Sequence, residues 1–82
     1  MGDSAGPRGD VLDLRGLKCP LPAMKTRRAV ARLATGAELT VLASDPMSVI
    51  DVPHAVTLAG GRLVASACDG DTLTFQIVRD AD

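Results

Sequence analysis

The chain is almost without aromatic residues: 82 residues include no Trp, no Tyr and a single Phe, Phe75. It therefore lacks the stacking platforms of single-strand nucleic-acid binders. Its net charge of −1 also lacks the cationic excess that a phosphate backbone attracts, so no direct nucleic-acid contact is expected. Cysteine is scarce as well. Cys19 and Cys68 are too few for a disulfide scaffold or a four-thiolate metal site. No hydrophobic run approaches the ~20 residues of a membrane span. No basic region followed by an apolar core marks a secretory signal. These absences lead to the expectation of a small cytoplasmic domain with no membrane contact and no metal or organic cofactor.

What is present is aliphatic. The hydrophobic fraction is 46% and the charged fraction 23%, too apolar for a disordered chain. The opening residues MGDSAGPRGD hold no large apolar side chain except Met1. Residues 1–10 are therefore expected to be a flexible tail and residues 11–80 a single domain.

Gly and Pro punctuate that domain. Val11 to Arg15 alternates, with Leu12 and Leu14 on one face, as a short strand does. Gly16 ends it. Pro20 to Ala34 reads as a helix, with proline tolerated in its first turn and Gly36 as a left-handed cap beyond its end. Glu38 to Ser44 is a second strand. Asp45-Pro46 opens a short helical turn, and Pro53 predicts a restart with Asp51 as N-cap. That second helix runs to Ala59, before Gly60-Gly61. Arg62 to Cys68 and Thr72 to Arg79 are strands joined by Asp69-Gly70-Asp71, a strong hairpin signal.

The order β-α-β-α-β-β implies right-handed parallel crossovers followed by an antiparallel hairpin. Two helices cover one face of four strands. The fold class is an α/β (α+β) two-layer sandwich with a mixed sheet. Pairing Cys68 near Thr72 places Leu63, Ala65, Ala67, Leu73, Phe75 and Ile77 on the helix-covered face and Ser66, Cys68, Thr72, Thr74 and Gln76 on the open one.

The chemistry concentrates in Gly16-Leu17-Lys18-Cys19-Pro20-Leu21-Pro22. A thiol at a helix N-terminus, with Lys18 and Arg15 close in sequence, is expected to have a lowered pKa. Pro20 and Pro22 remove backbone donors and stiffen the corner. Such a corner suits a group handed between proteins better than a pocket activating a small substrate. Cysteine hydrolases need a His base, and the only histidine, His54, falls opposite Val52, Val56 and Ala59 on its helix. A thioredoxin-type Cys-x-x-Cys is absent, because position 22 is Pro. The structural alternative for Cys19 is a buried core cysteine. Cys68 reads as an ordinary strand residue or, alternatively, as a resolving or second acceptor thiol.

LDLRGLKCPLP, Asp45-Pro46, Asp51-Val52-Pro53 and Cys68-Asp69-Gly70 resemble the TusA (SirA-like) sulfur-carrier family over nearly all of residues 11 to 80. The resemblance implies a βαβαββ sandwich similar to the C-terminal domain of translation initiation factor three, with strand order 1-2-4-3. It implies that Cys19 accepts sulfane sulfur as a persulfide from a cysteine desulfurase or a rhodanese-type donor and passes it to a DsrE-like acceptor. The family serves tRNA thiolation, molybdenum cofactor biosynthesis and sulfur oxidation. Position 21 is often acidic in the tRNA-thiolation members and is Leu21 here. A non-catalytic regulatory module and a thiol redox sensor on the same fold are the alternatives.

Helical arithmetic at about 100° per residue suggests where partners dock. Pro22, Ala23, Thr26, Ala29, Val30 and Leu33 share the sheet-facing side of the first helix, and Lys25, Arg28 and Arg32 the solvated one. Leu21, Met24 and, on the second helix, Leu58 fall away from the core. Cys19 and Asp45 both follow parallel strands, at the sheet end where partners engage such folds. Leu21, Met24, Arg27, Asp45 and Leu58 are therefore the candidate partner-binding residues around Cys19, with Lys18, Pro20 and Pro22 supporting the thiol. The plainer alternative is a scatter of exposed apolar side chains.

Overall fold

The computed structural model describes residues 10–80. The expected N-terminal tail lies outside them except for Asp10. The elements are β1 (Asp10–Asp13), α1 (Leu21–Ala31), β2 (Glu38–Ala43), α2 (Ser48–Leu58), β3 (Gly61–Asp69) and β4 (Thr72–Arg79). They form one four-stranded sheet in the order β1-β2-β4-β3. β1 and β2 are parallel, and β4 is antiparallel to both of its neighbours, β2 and β3. β1, β2 and β3 therefore share one direction, and the thiol-bearing loop leaves the sheet at their carboxyl end.

Each layer contributes to one core. Leu39, Val41 and Ala43 alternate inward along β2, and Phe75 and Ile77 do so along β4. Val30 of α1 and Val52 and Val56 of α2 close over them from one side. The expected sheet-facing side of α1 is observed: Pro22, Thr26 and Val30 are buried, while Lys25, Arg28 and Arg32 are exposed. β3 contributes only half-buried Leu63 to this core.

Four local expectations change. β1 begins at Asp10 and ends at Asp13, although Leu14 N–H still donates to the Leu42 carbonyl (2.8 Å). Arg15 leaves the strand because its guanidinium folds back onto Asp13. α1 starts at Leu21, with Pro20 as its N-cap, and ends at Ala31 rather than Ala34. Its last bonds tighten to the 3₁₀ pattern, Arg32 to Ala29 and Leu33 to Val30.

The second helix does not restart at Asp51. The turn from Pro46 forms, with Ser48 N–H donating to the Asp45 carbonyl (2.9 Å), but it continues as one helix through Pro53. Proline at this position frees the carbonyl of Val49, one turn earlier. Val49 is 56% exposed, so water can take that carbonyl and the helix need not break. Asp51 is therefore released from capping.

The hairpin register differs by one residue from expectation. Cys68 pairs with Leu73, Ser66 with Phe75, and Ala65 with Gln76. Ala65 and Ala67 accordingly lie on the open face and Cys68 on the helix side. A bulge between Leu63 and Ala65 absorbs the slip and returns Leu63 opposite Ile77, on the core face. Alternation alone could not reveal this, because one inserted residue, Val64, inverts the pattern halfway along the strand.

Candidate functional site

The loop between β1 and α1 presents Cys19 to solvent. Gly16 turns the chain with φ +88°, and its N–H donates to Ser44 Oγ (2.8 Å). Cys19 N–H donates to Asp45 Oδ2, while the other oxygen of Asp45 accepts from Met47 N–H (3.1 Å). One carboxylate thus holds the thiol loop against the start of α2. The Cys19–Pro20 peptide is cis.

The thiol itself points across to the second helix. Cys19 Sγ donates to Asp51 Oδ2 at 3.1 Å. α2 brings Asp51 here because residues 51, 54, 55 and 58 form one stripe at helical spacing. The facing stripe is Pro20, the N-cap of α1, with Ala23, Met24 and Arg27 of the helix. Together the two stripes line a groove of about 260 Å³. Asp51 lies at the end of that groove nearest the thiol.

The charges around Cys19 reverse the expected pKa. The hydrogen bond to Asp51 raises the thiol above its ordinary value, and partial desolvation and the negative charges of Asp51 and Asp45 add to the rise. Arg15 does not offset this, because Asp13 chelates it through contacts of 2.8 and 2.7 Å. Lys18 acts instead on Asp45, whose pKa is lowered chiefly by the N–H groups of Cys19 and Met47 and also by the Lys18 charge.

The remaining candidates divide. Met24 (58% exposed) and Leu58 (55%) face each other across the groove with Arg27 and Pro20. Leu21 is exposed but does not line the groove. Lys18 is exposed beside the thiol. Pro22 is fully buried, so it packs α1 onto the core rather than shaping the surface. Sequence reasoning missed Asp51 and His54 as groove residues. The signal was the 51-54-55-58 stripe, hidden by the assignment of Asp51 to a helix cap. It also missed Met47, Val49 and Ile50, three exposed apolar residues where α2 begins.

Fold and site together define a small α+β domain that displays one thiol beside an apolar groove. Residues 10–79 match the family model described as Sulfurtransferase TusA. A sulfur carrier protein TusA from Pseudomonas putida strain GB-1 is 38% identical over 72 residues, covering 88% of this chain and 90% of that protein. Its counterpart from P. putida strain F1 is 36% identical over the same shares. The crystal structure of a SirA-like protein from Desulfitobacterium hafniense superposes with a TM-score of 0.73 over 88% of this chain and 99% of that one, at 23% identity, and shares the fold. The chain belongs to the TusA family.

Proposed function

We propose that this protein is a sulfur carrier that holds sulfane sulfur as a persulfide on Cys19 and relays it between proteins. The observation that carries this reading is the position of Cys19. Its thiol is exposed, bonded to Asp51 at one end of the apolar groove, and part of the Cys-Pro-x-Pro corner. The similarity to curated sulfur carrier proteins supports the same reading.

The donor in this proposal is a cysteine desulfurase or a rhodanese-type protein, and the acceptor a cysteine on a DsrE-like or comparable relay protein. The proposal keeps residues 11–80 as one domain, with β1 reaching back to Asp10. Among the described residues no helix is long and apolar enough to cross a membrane, and the working compartment proposed is the cytoplasm. Met24, Arg27 and Leu58 form the docking groove, Asp45 fixes the loop, and Leu21 and Lys18 flank it.

Intact mass spectrometry tests the reading. Reduced protein, incubated with a cysteine desulfurase and cysteine or with a rhodanese and thiosulfate, gains one sulfur atom. The gain disappears in Cys19→Ser and persists in Cys68→Ser. Absence of any gain with both donors would return the weight to a regulatory role.

A further inference from the structure

A carrier thiol with a raised pKa poses a chemical problem. The nucleophile in sulfur transfer is the thiolate, yet the resting site favours the thiol. The proton must leave as sulfur arrives and return as sulfur departs. One group is placed to receive it: Asp51 Oδ2 already accepts the S–H hydrogen at 3.1 Å. Asp51 is half-buried, held on the first turn of α2, at hydrogen-bond distance from the reacting atom. Such contact is what a general base requires before any question of pKa arises.

Resting on the persulfide reading above, we infer that Asp51 is the proton acceptor and donor for Cys19 in both half-reactions. On loading, the Cys19 S–H bond breaks and its proton passes to Asp51 Oδ2. Cys19 Sγ forms a bond to the terminal sulfur of the donor persulfide, and the donor S–S bond breaks. The electron pair leaves on the donor cysteine sulfur, which takes up a proton from solvent. One S–S bond is broken and one is made, so no external oxidant or reductant enters. On unloading, an acceptor thiolate attacks the terminal sulfur, Cys19 leaves as thiolate, and the proton returns from Asp51. Reprotonation then stops Cys19 from taking the sulfur back.

The other charged groups near the site do not share this role. Asp45 binds the backbone N–H of Cys19 and Met47. Lys18 is exposed and acts on Asp45. Arg27 and His54 line the groove, and neither bonds to Cys19 Sγ in the structure.

The test sets two reactions of one thiol against each other, using glutathione persulfide as the sulfur source so that protein docking plays no part. Alkylation by iodoacetamide reports thiolate population, and intact mass reports sulfur uptake. In Asp51→Asn, loss of the carboxylate charge lets the thiol ionise more readily, so alkylation at pH 7 quickens. Sulfur uptake nevertheless slows, on the order of 100-fold for a lost general base. Asp51→Glu restores much of the uptake. If uptake in Asp51→Asn stays level or rises with alkylation, Asp51 only suppresses the thiolate and the inference falls while the carrier reading stands. If the wild-type chain takes up no sulfur on Cys19, the carrier reading falls and the inference with it.

Discussion

Arg79, at the end of the last strand, donates from Nη1 to the carbonyl oxygens of Val30 (3.0 Å) and Ala31 (3.1 Å) at the end of α1. The Val30 carbonyl also accepts from Leu33 N–H (3.0 Å), and a cation at these carbonyls meets the negative end of the helix dipole. The same residue bonds through its backbone to Gly36 and Ala37. Arg79 therefore ties the far end of α1 to the sheet, while Cys19 occupies the near end.

Arg79→Met keeps an unbranched apolar stem and removes both bonds. Urea unfolding should show a loss of about 1.5–3 kcal/mol, the range for hydrogen bonds made by a charged group. The alkylation rate of Cys19 should not change, because the site lies at the opposite end of the helix.

Gly61 is packed where a side chain cannot go. A Cβ there would meet Val30 Cγ1 at 2.9 Å, Val56 Cγ1 at 3.1 Å and the Val78 carbonyl oxygen at 3.3 Å. Gly61→Ala should cost about 1–3 kcal/mol by overpacking, read as a lower urea midpoint.

The site titrates in opposite senses at the two ends of the pH scale. The Cys19 thiol is raised in the folded protein, so its contribution to stability is complete below the unfolded thiol pKa and is lost as pH rises through the folded value. Asp13 is lowered to about 2, chiefly by its bonds to Arg15. Its contribution is present above the ordinary carboxylate value and disappears as pH falls toward about 2. NMR titration should find the Asp13 carboxyl midpoint near that value. Alkylation of folded Cys19 should reach half its maximal rate at a higher pH than in urea-unfolded chain.

The groove can be tested by charge. Met24→Glu or Leu58→Glu places a carboxylate among apolar walls beside Asp51. Sulfur transfer from a protein donor should slow at least about tenfold, a loss of about 1.4 kcal/mol in the transition state. Uptake from glutathione persulfide should change little. Leu21→Glu, outside the groove, should have the smaller effect on transfer from the protein donor.

Much of the architecture was legible because Gly, Pro and Asp-Gly punctuate it at element ends, and because Leu39, Val41 and Ala43 alternate cleanly. The thiol corner was legible from Cys-Pro-x-Pro in its setting after Leu14-Arg15-Gly16-Leu17. Its electrostatics were not. Lys18 and Arg15 are neighbours in sequence, but the carboxylates that set the thiol, Asp45 and Asp51, arrive from 26 and 32 residues away. Pro53 misdirected the reading of α2, since a helix can carry proline where the freed carbonyl reaches water. Val64 misdirected the reading of β3, since a bulge reverses the faces without altering composition.

The same bulge bears on how the protein survives at high concentration. Among the described residues, β3 is an outer strand of nine residues whose far side has no partner in the sheet, and a long free edge can recruit the edge of a second molecule. The inserted Val64 bends that edge and breaks the even spacing of its unpaired amides and carbonyls. The bulged edge thus offers the protein's own copies a poor template for strand-to-strand growth. Colloidal restraint is built into the irregularity that spoiled the sequence pattern.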